Sequence, residues 1–562
     1  MKTMTGAQII MAVLKDECVD IIFGFPGGVV IDVFDELMKT DIQHILVRHE
    51  QGAAHAADGY ARAKGKVGVC LVTSGPGATN TVSGLASAYM DSIPVVVMTG
   101  QVPTALIGND AFQEVDIVGI TRPCTKHNYL VKRTEDLGRT LKEAFHVARS
   151  GRPGPVLVDL PKDVTQGKAK YEPLRECHIP SYHPTYEPNV KQLNRAIKLI
   201  KEAEKPVVFI GGGVILSGAH KEVTRFAEKL NAPVTASLMG LGGFPGSHPL
   251  WMGMLGMHGT YRANMAIGAC DLLMGIGVRF DDRVTGKVST FAPNAKIIHV
   301  DIDPTSIKKN IPVTVPIVGD CRAALMGLNR LLNKEKVKFT KKRRKPWLDQ
   351  IEKWKSTAPL RYEQKDVIKP QYVIEKLYEL TKGKAIITTE VGQNQMWAAQ
   401  YYHFDAPNRF ITSGGLGCMG FGLPAAIGAQ VACPGDLVVD VAGDGSIQMN
   451  IQEMATAVQY KLPVKVVILN NRYLGMVRQW QELFYEKRYA ATDLEHGPDF
   501  AKLAEAYGAL GLKATRPQDV VPILEQGLNS PGPAMMDFWV AREECVYPMV
   551  PAGASTTEML LA

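Results

Sequence analysis

The chain has 562 residues, 46% of them hydrophobic and 21% charged, and a net charge of +7. That length suits about three or four domains of roughly 150 residues each, and with no apolar run near the ~18 residues it needs, a membrane-spanning helix is excluded. Nine cysteines without a single C-x-x-C pair exclude a disulfide framework or a cysteine zinc site and point to reduced thiols in the cytoplasm.

The first six residues carry neither a signal peptide nor an Arg/Ser-rich transit segment, and they lead straight into an amphipathic helix. Residues 68–73 are predicted as a buried strand, 74–77 as a turn, 78–91 as a helix and 93–98 as the next strand. Pro173, Pro180, Pro184 and Pro188 then punctuate a stretch that reads as linker loop. Beyond it, strand 206–210 runs into Gly211, Gly212 and Gly213, strand 271–276 into Gly277, and strand 296–300 into Asp301, Ile302 and Asp303. The triple glycine is not G-x-G-x-x-G, and an acid at a strand end either holds a ribose or closes a turn, so a bound dinucleotide stays open.

Residues 334–345 contain eight basic residues and one acidic, which equals the whole net excess of +7. With one aromatic in the run, it reads as a solvated linker and not as a nucleic-acid arm.

The third region carries the strongest signal. Residues 437–442 are apolar and β-branched, a buried parallel strand. It ends in Gly443-Asp444-Gly445, where glycines let the backbone turn and approach a phosphate. A helical stretch (447–460) and a second buried strand (463–469) lead to Asn470-Asn471. Asp444 and Asn471 thus stand 27 residues apart, one strand–helix–strand unit, which puts a carboxylate and an amide oxygen on neighbouring strand ends. Mg²⁺ takes oxygen ligands and shares them with phosphates. From the last turn glycine to the strand proline is 17 residues in the first region and 18 in the third, so the two read as a duplicated pair. The predicted architecture is α/β, with three doubly wound parallel-sheet domains. Its parts are residues 1–165, a Pro-rich linker 166–190, a Rossmann-like domain 191–333, a basic linker 334–349, a third domain 350–540 and a tail 541–562.

Residues 45–54, 73–80, 110–114, 254–259, 279–283, 413–417, 419–424 and 477–481, together with Gly443-Asp444-Gly445 and Asn470-Asn471, resemble acetohydroxyacid synthase (acetolactate synthase) catalytic subunits of the thiamine-diphosphate enzyme family. The likeness runs from Thr5 to about Glu558. It implies that Glu50 sits on the pyrimidine ring nitrogen of thiamine diphosphate and drives its tautomer. It also implies that Asp444 and Asn471 hold Mg²⁺ with the main-chain carbonyl of Tyr473, and that Met419 bends the cofactor. The remaining cofactor contacts implied are Pro26, Gly27, Gln393, Asn394, Gly417, Cys418, Gly443, Gly445, Ser446, Gly475 and Met476. The middle domain resembles the family's FAD domain. Arg152, Gly211, Gly212, Gly213, Ser237, Leu238, Met239, Gly240, Leu255, Gly256, Met257, His258, Gly277, Arg279, Asp281, Asp301, Ile302, Asp320 and Cys321 match its flavin contacts.

Substrate selection by resemblance falls to Arg283 against the second 2-oxo acid's carboxylate, Trp480 around its side chain, and Gln113 and Lys162 at the mouth of the site. The implied reaction joins two pyruvates into 2-acetolactate with loss of CO₂, or pyruvate and 2-oxobutyrate into 2-aceto-2-hydroxybutyrate. A flavin-dependent pyruvate oxidase and a non-catalytic thiamine-binding protein are the alternatives; Arg283 and Trp480 favour the ligase, and Glu50, Asp444 and Asn471 together argue against the latter. The family further implies a homodimer or tetramer with sites at the subunit interface, and feedback control through a separate regulatory small subunit. Two departures stand out. Asn394 replaces the family's His beside the diphosphate, where its amide is expected to donate instead, and Cys418 replaces a Thr.

Overall fold

The computed structural model describes residues 2–174, 176–334, 339 and 341–561. Three six-stranded parallel sheets form the scaffold. Across the first, the order is Gln43–Leu46, Ile21–Phe25, Gly68–Val72, Val95–Gln101, Val156–Pro161 and His127–Leu130. Across the third it is Phe410–Thr412, Ile386–Thr389, Val438–Gly443, Lys465–Asn470, Ala534–Trp539 and Leu510–Ala514. These are one topology written twice. The middle sheet runs Trp251–Met254, Val234–Ala236, Pro206–Ile210, Leu272–Ile276, Lys296–Asp301 and Val315–Val318. Its central strands are buried Val/Ile/Leu runs, as both-face coverage by helices requires. The strand Lys2–Thr5 pairs antiparallel with Lys168–Tyr171, so the start of the expected Pro-rich linker is itself a strand.

The first and third sheets are held together by one shared core. At its centre the helices Glu50–Lys64 and Gly422–Ala432 lie in backbone contact. A Cβ on Gly59 would come 2.2 Å from the Ala425 carbonyl, and one on Gly428 only 1.9 Å from the Ala56 carbonyl. Only glycine allows that approach.

Three sequence expectations change. The helix expected over 78–91 is two helices, Pro76–Thr79 and Val82–Asp91, because Asn80 turns its side chain to Glu50. The helix expected over 447–460 is reduced to Met454–Gln459, preceded by two 3₁₀ turns that meet at Asn450, whose amide donates to the Gly420 carbonyl. The described part of the basic run is solvated at Lys334, Lys342, Arg343 and Lys345, but it is helical from Lys341 and buries Arg344. Residues 335–338 and 340 lie outside the described residues. From Lys341 the chain is helical to Thr357. There Arg343 and Arg344 donate to the carbonyls of Lys201 and Ala203 at the carboxyl end of helix Val190–Glu202, the end where a cation is stabilised by unpaired carbonyls. Arg344 is fully buried, and burial lowers its guanidinium to about 10.

Candidate active site

Gly443 pairs with Leu469 across adjacent strands, so Asp444 and Asn471 leave the third sheet side by side at its carboxyl edge. Both line one cavity, with Gln393, Asn394, Met419, Gly443, Gly445, Ser446, Tyr473, Gly475 and Met476. Asp444 is buried, its Oδ1 has no protein hydrogen-bond partner, and burial pushes its carboxyl up to about 7. The Asn471 amide donates to Gln393 Oε1 at 2.9 Å while its oxygen accepts from the Tyr473 N–H at 3.1 Å. Gln393 is fixed in turn by donating to Gln479 Oε1 and the Glu544 carbonyl. An orphaned carboxylate oxygen, an amide oxygen and a nearby carbonyl are hard donors and fit Mg²⁺. Among the described residues, no three His, Cys, Asp or Glu gather into a metal cluster, so a cation here would need phosphate oxygens to complete its shell.

Asn394 departs from its expected role. Both of its amide hydrogens are engaged, with the Glu390 carbonyl at 3.0 Å and the Val441 carbonyl at 2.8 Å, and a side-chain amide has only two. Its oxygen, not a donor, faces Gly443. Beside Met419, Gly417 adopts a left-handed φ of 73° and the Cys418 thiol lies 3.6 Å from His55 Nε2. Trp480 stands on helix Gly475–Phe484 one turn beyond Met476, edge-on to Phe484, with a buried indole N–H that has no partner. It does not line the cavity.

In the first domain Glu50 lies just beyond a strand. The strand Gln43–Leu46 stops earlier, and Glu50 opens the helix Glu50–Lys64 with His49 as its cap. Its carboxylate accepts from Asn80 at 2.9 Å, and a Cβ on Gly77 would sit 3.2 Å from the other oxygen. Gly27 and Gly77 both press on Thr73, Gly75 presses on the Gln113 backbone, and the Lys162 ammonium reaches the Gly28 carbonyl at 3.4 Å. The sheet edge therefore gathers Gly27, next to the exposed Pro26, with Glu50, Gln113 and Lys162. None of them lines the third-domain cavity.

The middle-domain residues line up along one sheet edge. Pro206–Ile210 and Leu272–Ile276 are adjacent, and strand order reverses between them, the point where open α/β sheets take ligands. There Gly211 and Gly213 meet Gly277 backbone to backbone: a Cβ on Gly211 would lie 2.3 Å from the Gly277 carbonyl. Gly212 faces Met239 in the Leu238–Gly240 turn, which follows Ser237. Asp301 ends the next strand beside Ile302, accepts from the Asp303 N–H at 2.9 Å and is raised by burial to about 6. Arg152 pairs with Asp303 at 3.1 Å, and Cys321 follows Asp320 at the start of helix Cys321–Lys334 with its thiol close behind Gly277. Leu255, Gly256, Met257 and His258 form the turn after Trp251–Met254, where His258 Nδ1 lies 3.3 Å from the Pro548 carbonyl. Arg279 donates to the Met90 carbonyl and pairs weakly with Asp281, and exposed Arg283 lies 3.6 Å from Met257 Sδ.

Comparison with known proteins matches this layout domain by domain. The thiamine pyrophosphate enzyme family matches as its N-terminal TPP binding domain over residues 4–120, its central domain over 193–328, and its C-terminal TPP binding domain over 390–538. The acetolactate synthase isozyme 3 large subunit of Escherichia coli (strain K12) is 51% identical, covering 100% of this chain and 99% of that protein. The acetolactate synthase large subunit of Haemophilus influenzae is 49% identical over 100% and 99%, and an acetolactate synthase of Mycobacterium bovis is 49% identical over 100% and 92%. The chain belongs to the acetolactate synthase large-subunit family. It is a thiamine-diphosphate enzyme.

Within this synthase, two buried acids that sequence reading passed over support the site. Glu390 accepts from the Gly420 and Leu423 N–H groups at 2.6 and 3.2 Å, fixing the backbone around Met419. Glu453 accepts from the backbone of Arg48 and His49. Glu390 directly follows the strand Ile386–Thr389 and Glu453 follows a stretch rich in glycine and amides, and only the three-dimensional packing reveals their partners. No helix among the described residues is long and apolar enough to cross a membrane, and all nine cysteines are free.

Proposed function

We propose that this chain condenses pyruvate with a second 2-oxo acid, giving 2-acetolactate from pyruvate or 2-aceto-2-hydroxybutyrate from 2-oxobutyrate, with release of CO₂. The observation that carries the reading is the cavity where buried Asp444 and Asn471 converge with half-buried Met419, in a chain about half identical to acetolactate synthases along its full length. Asp444, Asn471 and the Tyr473 carbonyl would hold Mg²⁺, which would neutralise phosphate charge there. Gly443, Gly445, Ser446, Gly475 and Gln393 would cradle the phosphates with backbone and amide groups, and Met419, which lines the same cavity, would pack against the cofactor.

Bound thiamine diphosphate supplies a carbon nucleophile once its thiazolium carbon has lost a proton. Glu50 keeps a proton at the pyrimidine ring nitrogen, and Asn80 orients the Glu50 carboxylate for that task. Gln113 and Lys162 border the substrate channel, Arg283 binds the acceptor carboxylate and Trp480 bounds its side chain. Glu50 does not line the cavity that holds Asp444, and the family likeness implies sites at subunit interfaces, so a complete site takes Glu50 from one subunit and Asp444 from another and the working unit is at least a homodimer. The residues at the Gly211–Gly277 switch point would hold FAD, which would have no redox duty in the reaction. The enzyme is cytoplasmic and accepts feedback control through a separate small subunit.

Product analysis from pyruvate alone, and from pyruvate with 2-oxobutyrate, tests the proposal. The expected outcome is the two acetohydroxy acids with stoichiometric CO₂. Acetate or an acetyl ester formed with flavin bleaching, and no acetohydroxy acid, would overturn it.

A further inference from the structure

The turn that delivers Glu50 is held by the other end of its own chain. Glu453, 1% exposed, accepts through one carboxylate oxygen from the backbone N–H of Arg48 at 2.9 Å and of His49 at 3.0 Å. Its second oxygen accepts from the Thr456 hydroxyl at 2.7 Å. Two residues past Glu50, a Cβ on Gly52 would stand 2.6 Å from the same Glu453 oxygen, so that glycine makes room for the carboxylate. The clamp extends along one helix and its end: the Tyr460 hydroxyl accepts from the Leu46 N–H at 2.8 Å, and Arg48 reaches Gln459. Every residue from Leu46 to His49 except Val47 is thus tied by hydrogen bonds to the segment 453–460.

A buried carboxylate is costly unless it is paired or well hydrogen-bonded, and here its acceptors are spent on two N–H groups ahead of a helix and on one hydroxyl. We propose that Glu453 is a positioning residue for Glu50, setting the start of helix Glu50–Lys64 so that the Glu50 carboxylate meets the cofactor at the correct depth. The inference rests on the role given to Glu50 above. It has a consequence that does not follow from the sequence. Glu453 lies nine residues beyond Asp444, in the domain that carries the metal–diphosphate cavity, yet it serves the active site completed by its own chain's Glu50. If sites are shared between subunits, that is the site whose Asp444 belongs to the partner. Each third domain then supports two sites at once, one with Asp444 and the other through Glu453.

Subunit mixing reads this directly. Three variants are needed: Glu50→Gln, Asp444→Ala and Glu453→Met, the last filling the space of Glu453 without an acceptor. Glu453→Gln keeps an oxygen for both N–H groups and a donor for Thr456, and should retain most activity. Glu453→Met should lower kcat about 10²-fold, the scale of a misplaced catalytic group, with little change in KM for pyruvate. In the cofactor-free protein, amide hydrogen exchange at Arg48 and His49 should rise in Glu453→Met and stay slow in Glu453→Gln. In mixtures, Glu453→Met should recover activity with Asp444→Ala and fail to recover it with Glu50→Gln, falling in the Glu50 group despite its place in the third domain. The reverse pattern, with hybrids verified by native mass spectrometry, would overturn the inference while leaving the Glu50 reading intact. Failure of the Glu50→Gln and Asp444→Ala pair itself to recover would instead overturn the shared-site reading. Should Glu453→Met not fold, Thr456→Val, which strips the donor from the second carboxylate oxygen, must show the same grouping with a smaller loss.

Discussion

The first and third domains have the same strand order, and matched positions in them carry different chemistry. After Val438–Gly443 the third domain places Asp444; after Gly68–Val72 the first places Thr73 and a glycine–proline turn with no charge. After Ile386–Thr389 comes Glu390, whose carboxylate fixes the backbone ahead of helix Gly422–Ala432. After the equivalent strand Ile21–Phe25 comes Pro26, so the matching helix Glu50–Lys64 has no acid of its own domain at that place and takes Glu453 from the other. A duplicated scaffold can therefore specialise by edge: one copy builds the cavity lined by Asp444 and Asn471, and the other presents the single carboxylate of Glu50.

The comparison breaks most sharply in single variants of the two key acids. Glu50→Gln should keep cofactor binding yet lose about 10²–10⁴ in kcat, the range for a positioned acid–base group, with hydrogen–deuterium exchange at the thiazolium carbon slowing in parallel. Asp444→Ala should fail differently, in affinity: it removes the one carboxylate of the oxygen set, so the Mg²⁺ and thiamine diphosphate concentrations for half activity should rise steeply. Titrations of each variant with cofactor and metal separate the two. If Glu50→Gln loses affinity and keeps its exchange rate, the division of labour between the domains is wrong.

A smaller effect concerns whether the two domains of one chain serve different sites. Random mixing of Glu50→Gln and Asp444→Ala subunits puts half of all dimers in hybrid form, each with one intact site, so recovery should approach about one quarter of wild-type activity for a two-fold dimer. No recovery in a sample with proven hybrids would place both residues in the same site.

The contact between the two copies is open to a third test. In a helix, Gly→Ala gains about 1 kcal/mol in propensity, but a methyl at Gly428 would lie 1.9 Å from the Ala56 carbonyl, and overpacking of this kind costs about 1–3 kcal/mol or more. Gly428→Ala should lower the thermal midpoint and, by displacing helix Glu50–Lys64, activity as well. Gly435→Ala, where a Cβ meets nothing within 4 Å, should do neither. Equal melting curves for the two would mean that the helices have room to move apart.

Much of the scaffold was legible because buried parallel strands are continuous apolar runs and their glycine-rich exits are distinctive; Gly443-Asp444-Gly445 and Asn471 stood out on those grounds alone. What escaped was anything set by contacts across hundreds of residues. Arg344 looked like part of a solvated charge run, since composition cannot say that its partners would be the carbonyl ends of helices far back in the chain. Asn394 looked like a free donor because nothing in its neighbourhood shows that Val441 would take one of its hydrogens. Glu453 was invisible for the same reason, being an acid within a polar stretch whose partners lie about 400 residues away.

The smallest effect tests where the third domain reaches beyond cofactor binding to substrate choice. Pyruvate and 2-oxobutyrate differ by one methylene, and a hydrophobic pocket can resolve that by only about 1–3 kcal/mol, or roughly 10–200-fold. Trp480 is the residue proposed for it: it lies outside the cavity lining but continues the face of the lining residue Met476 along helix Gly475–Phe484, leans on Phe484, and brings a flat surface that loses little entropy on ordering. Its indole N–H has no partner, so no polar contact ties the ring in its present place, and apolar packing carries its role. Trp480→Leu should lower the preference for 2-oxobutyrate over pyruvate as acceptor within that bound, while decarboxylation of the first pyruvate, assigned in the proposal to Glu50 and the Asp444 cavity, stays near its original rate. Competition between the two acceptors, read as the ratio of acetohydroxy acids formed, measures it. An unchanged ratio in a folded, cofactor-loaded variant would confine the third domain to phosphate and metal binding and move specificity to residues such as Gln113 and Arg283 in the other two.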